Sequence, residues 1–135
     1  MSTSTTDSDV TSPEQNIRIM TQCWYLAEQS NPDEKRYAFS YTISIHNNGS
    51  QPAKLLTRHW LITDADGKVQ EVHGDGVVGN QPEIAPGENH TYSSGALIET
   101  PVGTMEGKYG MITPTGEKFD APIPVFRLAV PGILN

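Results

Sequence analysis

Tyr37-Ala38-Phe39-Ser40-Tyr41-Thr42-Ile43-Ser44-Ile45-His46 is the stretch that decides the fold. Tyr37, Phe39, Tyr41, Ile43 and Ile45 take every second position, with small or polar residues between them. Successive side chains of a strand point to opposite faces. Period-two spacing therefore puts five large apolar side chains on one face and leaves the other to water or small neighbours. An α-helix would scatter the same residues around its circumference. The run ends at Asn47-Asn48-Gly49-Ser50, residue types that tolerate positive φ and mark a turn.

The pattern continues in both directions. Upstream, Ile17 to Leu26 reads as a strand with Trp24 and Tyr25 near its end, and Asn31-Pro32-Asp33 as the turn that follows. Downstream, Ala53 to Thr63 carries Leu56, Trp60 and Ile62. Asp64-Ala65-Asp66-Gly67 then turns the chain into Lys68 to His73. Glycine at the fourth place suits a three-residue loop with a bulge, a register that sets His59 opposite His73 on the face away from Trp60. His90 to Ser93 and Ala96 to Thr100 read as two short strands. Gly103 to Ile112 follows, with Met105, Tyr109 and Met111 on one side, and Pro114-Thr115-Gly116-Glu117 turns it into Lys118 to Leu128. There Phe119, Ala121, Ile123 and Val125 alternate with Asp120, Pro122, Pro124 and Phe126. Pro122 and Pro124 donate no ladder hydrogen bonds, so one edge of this last strand faces away from a partner.

Seven or eight strands without a helical pattern predict an all-β chain: an antiparallel two-sheet β-sandwich of immunoglobulin or fibronectin type III kind, with a closed barrel as the alternative. Trp24, Trp60, Tyr37, Phe39 and Tyr41 are assigned to its core rather than to a ligand groove. At 135 residues the chain has room for one core. Residues 1–13, rich in Ser, Thr and Asp, read as a disordered tail, and residues 14–135 as the domain.

Charge and composition narrow the partners. The formal net charge is −7 and the basic residues are scattered, so no stripe exists to neutralise a phosphate backbone and no nucleic-acid partner is expected. The N-terminal residues lack the apolar and positive segments of a signal peptide, and no apolar run approaches the roughly 18 residues of a membrane span. The only cysteine, Cys23, excludes an internal disulfide and suits a reducing compartment. A cytoplasmic protein without a membrane partner is expected.

Gly74-Asp75-Gly76-Val77-Val78-Gly79 fits the letters of a dinucleotide-binding turn, G-x-G-x-x-G. That turn works only where a helix opens on the last glycine and offers its N-terminus to the pyrophosphate. Here Asn80-Gln81-Pro82-Glu83-Ile84-Ala85-Pro86-Gly87 follows, and its two prolines oppose a helix. The leading reading is a tight loop between sheets, with Val77 or Val78 tucked into the core; a backbone-amide anion nest and a nucleotide cradle are the alternatives. Gly74, Asp75, Gly76, Val77, Val78 and Gly79 are the candidate ligand or partner loop. His46, His59, His73 and His90 lack the close spacing of a metal site. The one geometric route to such a site is the cross-strand pair His59 and His73, with Glu71 nearby; a pair alone falls short of the convergent donors required, so no metal and no cofactor are assigned, and a direct metal-binding protein stands as an alternative function. No nucleophile elbow or paired carboxylates are visible, Cys23 reads as a small core hydrophobe, and no catalytic residue is assigned.

Several separate segments together resemble the bacterial ApaG family. They are Arg58-His59-Trp60, the Gly74–Gly79 loop with Gln81-Pro82, Pro86-Gly87, Tyr92-Ser93-Ser94-Gly95, Gly103-Thr104-Met105-Glu106-Gly107 and Phe126-Arg127-Leu128-Ala129-Val130-Pro131. The resemblance runs from about Glu14 to Leu134. It implies a fibronectin type III-like sandwich and a link to cobalt resistance and magnesium efflux without an assigned reaction. Similar domains occur in some F-box proteins and in a polymerase delta-interacting protein, which implies an interaction module with a protein partner.

Overall fold

In a computed structural model, residues 16–133 are described; the tail expected over residues 1–13 lies outside them. Eight strands run in the order β1 (Ile17–Tyr25), β2 (Tyr37–Asn47), β3 (Ala53–Asp64), β4 (Val69–Asp75), β5 (Glu83–Ile84), β6 (Asn89–Ile98), β7 (Val102–Ile112) and β8 (Lys118–Ala129). They form two antiparallel sheets. One has the order β1-β2-β6; the other has the order β4-β3-β7-β8, with β5 also pairing to β3. The architecture is the expected sandwich. Two single 3-10 turns, Ala27–Gln29 and Pro32–Glu34, connect β1 to β2 where the sequence suggested one turn.

The stretch that decided the fold behaves as read. Phe39, Tyr41, Ile43 and Ile45 are buried, and Tyr37 packs against the same cluster. The second sheet answers with Leu55, Trp60, Ile62, Met105, Tyr109, Met111, Ala121, Ile123 and Leu128. Trp60 sits at the centre. It is 2% exposed and meets the rings of Tyr41, Tyr109 and Phe126 edge-on at 5.4, 6.4 and 6.0 Å. Its cross-strand neighbour is Gly107, where β7 runs so close to the β3 backbone that an added Cβ would lie 1.9 Å from the His59 carbonyl oxygen.

Four expectations are corrected. Trp24 leaves the core: β1 pairs β2 with Cys23 opposite Tyr41 and Tyr25 opposite Phe39, so odd positions face inward and Trp24 is 50% exposed. The two short strands around Ser93 are one strand, Asn89–Ile98, because β2 pairs along its length and overrides the local Ser-Ser-Gly signal. The alternation in β8 reverses midway. Its register passes from Met105 opposite Phe126 to Gly107 opposite Ile123, a bulge that turns Val125 outward and packs Phe126 against the core. The turn after β2 uses no positive φ at Asn47 or Asn48. Buried Asn47 shapes it instead: its side-chain oxygen accepts from the Gly49 amide, and its Nδ2 donates to the Gln51 and Ile84 carbonyls.

Pro122 and Pro124 lie in β8, which ladders only to β7 and closes that edge of its sheet. Cys23 is partly buried, donates to the Arg127 carbonyl at 3.0 Å, and has its thiol pKa pushed up by burial.

Candidate functional site

The hairpin β3–β4 organises both candidate sites. Asp64 opens its turn: its buried carboxylate accepts from the amides of Asp66 and Lys68, and Gly67 takes φ 85° to close a three-residue loop. The turn fixes the register, and the register pairs Arg58 with Gly74, His59 with His73 and Leu61 with Glu71. At the far end of β3 a bulge at Leu56 breaks the pairing to β7. Its carbonyl is redirected to the glycine loop, where it accepts from the Gly76 amide at 2.8 Å and from Gln81 Nε2 at 2.9 Å.

The loop is closed on itself. Val77 and Asn80 exchange backbone hydrogen bonds in both directions, at 2.8 and 3.0 Å, across a turn whose central residues Val78 and Gly79 have φ of 47° and 79°. Val77 is driven into the core at 1% exposure and Val78 stands out at 62%. Arg58 holds the loop from behind: its Nη1 donates to the carbonyls of Asp75 and Gly76 at 3.0 and 2.9 Å. The guanidinium fits because residue 74 is glycine, where an added Cβ would lie 2.6 Å from Arg58 Cζ.

This geometry bears on each reading of the loop. The chain beyond Gly79 runs to β5, not into an α-helix, so no helix N-terminus meets a phosphate. The Gly76, Val77 and Asn80 amides are spent on internal carbonyls, and Arg58 is directed at the loop's own oxygens. Arg58 was missed at the sequence level. Its signal was there: it occupies the inward phase of β3 with Trp60 and Ile62, a charged residue where an apolar one belongs.

Arg58 also lies near the inward tyrosines Tyr41, Tyr92 and Tyr109. Tyr92 and Tyr109 share a buried hydroxyl–hydroxyl hydrogen bond. Burial pushes both phenols well above the ordinary tyrosine range, Tyr109 furthest, and Arg58 pulls modestly the other way.

On the opposite face of β3–β4 the histidine pair is realised as read. The rings of His59 and His73 stack with centroids 4.2 Å apart and planes 14° apart. The Nε2 atoms of both reach one oxygen, Glu71 Oε2, at 2.7 and 3.0 Å. The hydrogen bond from His59, then that from His73, holds the exposed Glu71 carboxyl below its usual pKa. Thr57, His59, His73, Asp75, Lys108 and Asp120 line a groove of about 520 Å³ beside this cluster, and Lys108 Nζ is paired with Asp120 at 3.3 Å. His46 and His90 lie on β2 and β6, in the other sheet.

The fold defines a small antiparallel two-sheet β-sandwich whose β4–β5 connection is closed by its own backbone hydrogen bonds and by Arg58. The sequence profile of the ApaG domain matches residues 27–113. Protein ApaG of Ectopseudomonas mendocina is 59% identical over 123 residues, covering 91% of this chain and 98% of that protein. Protein ApaG of Azotobacter vinelandii is 54% identical over the same shares. Among solved structures, a Bordetella pertussis protein that carries the name ApaA superposes with a TM-score of 0.84 at 46% identity, over 87% of this chain and 95% of that one. The C-terminal domain of Wzt, at 8% identity and a TM-score of 0.52, is alike in fold alone. The chain belongs to the ApaG family.

Proposed function

We propose that this chain is a non-catalytic binding module that engages a protein partner through the Gly74–Gly79 loop, with Val78 leading. The observation that carries the reading is Val78 itself: a β-branched residue at φ 47°, 62% exposed at the tip of the loop. Left-handed backbone costs an L-residue about 1–2 kcal/mol, and glycine or asparagine would relieve it. Folding gives no reason to hold a strained apolar side chain in water; contact with another surface does. The Arg58 brace and the Val77–Asn80 pair support the reading, because a pre-ordered tip loses little freedom on association. The relatives carry a protein name with no reaction in it, which favours a non-catalytic role. In this reading the link to cobalt resistance and magnesium efflux acts through the partner, in the cytoplasm.

Val78→Asn tests it. Asparagine suits the turn and deletes the apolar contact. Immobilised wild-type protein, Val78→Asn, and a variant with residues 74–79 replaced are compared for capture from native bacterial cytoplasm. Val78→Asn is expected to be at least as stable as wild type and to lose a specific partner by about tenfold or more, the effect of removing an interface anchor. Identical partner lists from all three baits refute the proposal.

A further inference from the structure

We propose that His59, Glu71 and His73 form a surface site for a divalent transition-metal ion of the zinc, cobalt or nickel class. The three residues come from adjacent antiparallel strands and share one face: His59 and His73 are register partners, and Glu71 is two residues before His73 on β4. One donor atom from each lies within 4.8 Å of the others. The convergence is on a single point, since both imidazole Nε2 atoms address the same carboxylate oxygen at 2.7 and 3.0 Å.

The chemistry of the set selects the ion. Two neutral imidazoles and one carboxylate suit borderline first-row ions, whereas magnesium and calcium favour oxygen donors throughout. Bonds of about 2.0–2.1 Å in a tetrahedral site separate ligand atoms by roughly 3.3 Å, so as the ion enters the two rings tilt out of their 14° stack to aim both in-plane Nε2 lone pairs at it, and the Glu71 oxygen withdraws by about half an ångström from His59. That motion is easy for a side chain as exposed as Glu71. The Nε2 hydrogen bonds that now gather the donors give way to metal bonds, each ring carrying its proton on Nδ1 instead. The remaining coordination positions belong to water. Lys108 faces His59 from β7, but its ammonium is already engaged by Asp120. On the opposite face of β3, Arg58 is turned to the loop carbonyls.

The test is calorimetric titration of the full chain, stripped with chelator, against zinc chloride, with magnesium chloride as comparator and the visible spectrum of added cobalt(II) as a coordination probe. One equivalent of zinc is expected to bind with Kd about 1–10 μM, near −7 to −8 kcal/mol, while magnesium gives no saturable signal. Cobalt(II) should develop visible bands that Glu71→Gln and His73→Gln abolish. The same two variants should weaken zinc about tenfold or more, at least what loss of a mere hydrogen-bond partner of a ligand costs, and His90→Gln should not. Glu71 and His73 are exposed, and equal melting temperatures of the variants confirm that folding is intact. Absence of saturable zinc binding overturns the proposal. So does binding that Glu71→Gln and His73→Gln leave unchanged, or that His90→Gln weakens equally.

Discussion

Gly76 and Gly79 share a left-handed backbone, at φ 64° and 79°, and differ in what surrounds them. An added Cβ at Gly79 meets nothing within 4 Å, whereas at Gly76 it would lie 2.2 Å from the Asn80 carbonyl oxygen and 2.8 Å from its carbon. Gly79→Ala should therefore cost only the left-handed penalty, about 1 kcal/mol. Gly76→Ala carries the same penalty and must also push Asn80 away. That breaks the two Val77–Asn80 hydrogen bonds, worth about 1 kcal/mol each, and loosens Val77 from the core. The sum is about 3–5 kcal/mol, a drop in Tm of roughly 10 °C or more for a domain of this size. Urea unfolding followed by far-UV circular dichroism measures both variants against wild type. Stability losses within about 0.5 kcal/mol of each other, or a larger loss at Gly79, would refute the closed-turn geometry, since backbone sign alone would then account for both.

Trp60→Ala should cost about 3–5 kcal/mol by urea denaturation, because it empties the centre of the core. Trp60→Phe should cost only about 1–2 kcal/mol, since the buried Trp60 Nε1 has no hydrogen-bond partner and its removal offsets part of the lost area. Tyr92 and Tyr109 set an alkaline limit. Their folded-state pKa values are raised, so the stability tied to their neutral forms is intact below the unfolded value of about 10 and is lost as pH rises beyond it. Absorbance at 295 nm should show these phenols ionising only together with loss of the far-UV signal, while a separate early titration of all five tyrosines would contradict their burial.

The parts of the fold legible in sequence are those where a local rule meets no competitor. The Tyr37–Ile45 alternation and the Asp64–Gly67 turn each specify one geometry, and the turn carried the His59–His73 register with it. What the sequence hid depends on pairing partners. The β8 bulge exchanges Val125 for Phe126, and nothing in Ile123-Pro124-Val125-Phe126 announces where the extra residue falls. Trp24 and Tyr25 look interchangeable until the register with β2 assigns them to opposite faces. The glycine loop was legible as a turn without a helix, with either Val77 or Val78 in the core, and the structure chooses Val77. Its brace was not, because Arg58 reaches it across 17 residues of chain that only the β3–β4 hairpin brings together.

Amide hydrogen exchange at Gly76, Val77 and Asn80 tests most directly whether the loop is a closed, braced tip. Protection at all three comparable to that of β3, unchanged by millimolar ATP, is the expected result. Exchange as fast as in an open loop would contradict the closed tip, and ATP-dependent protection confined to these amides would make the loop an anion cradle after all.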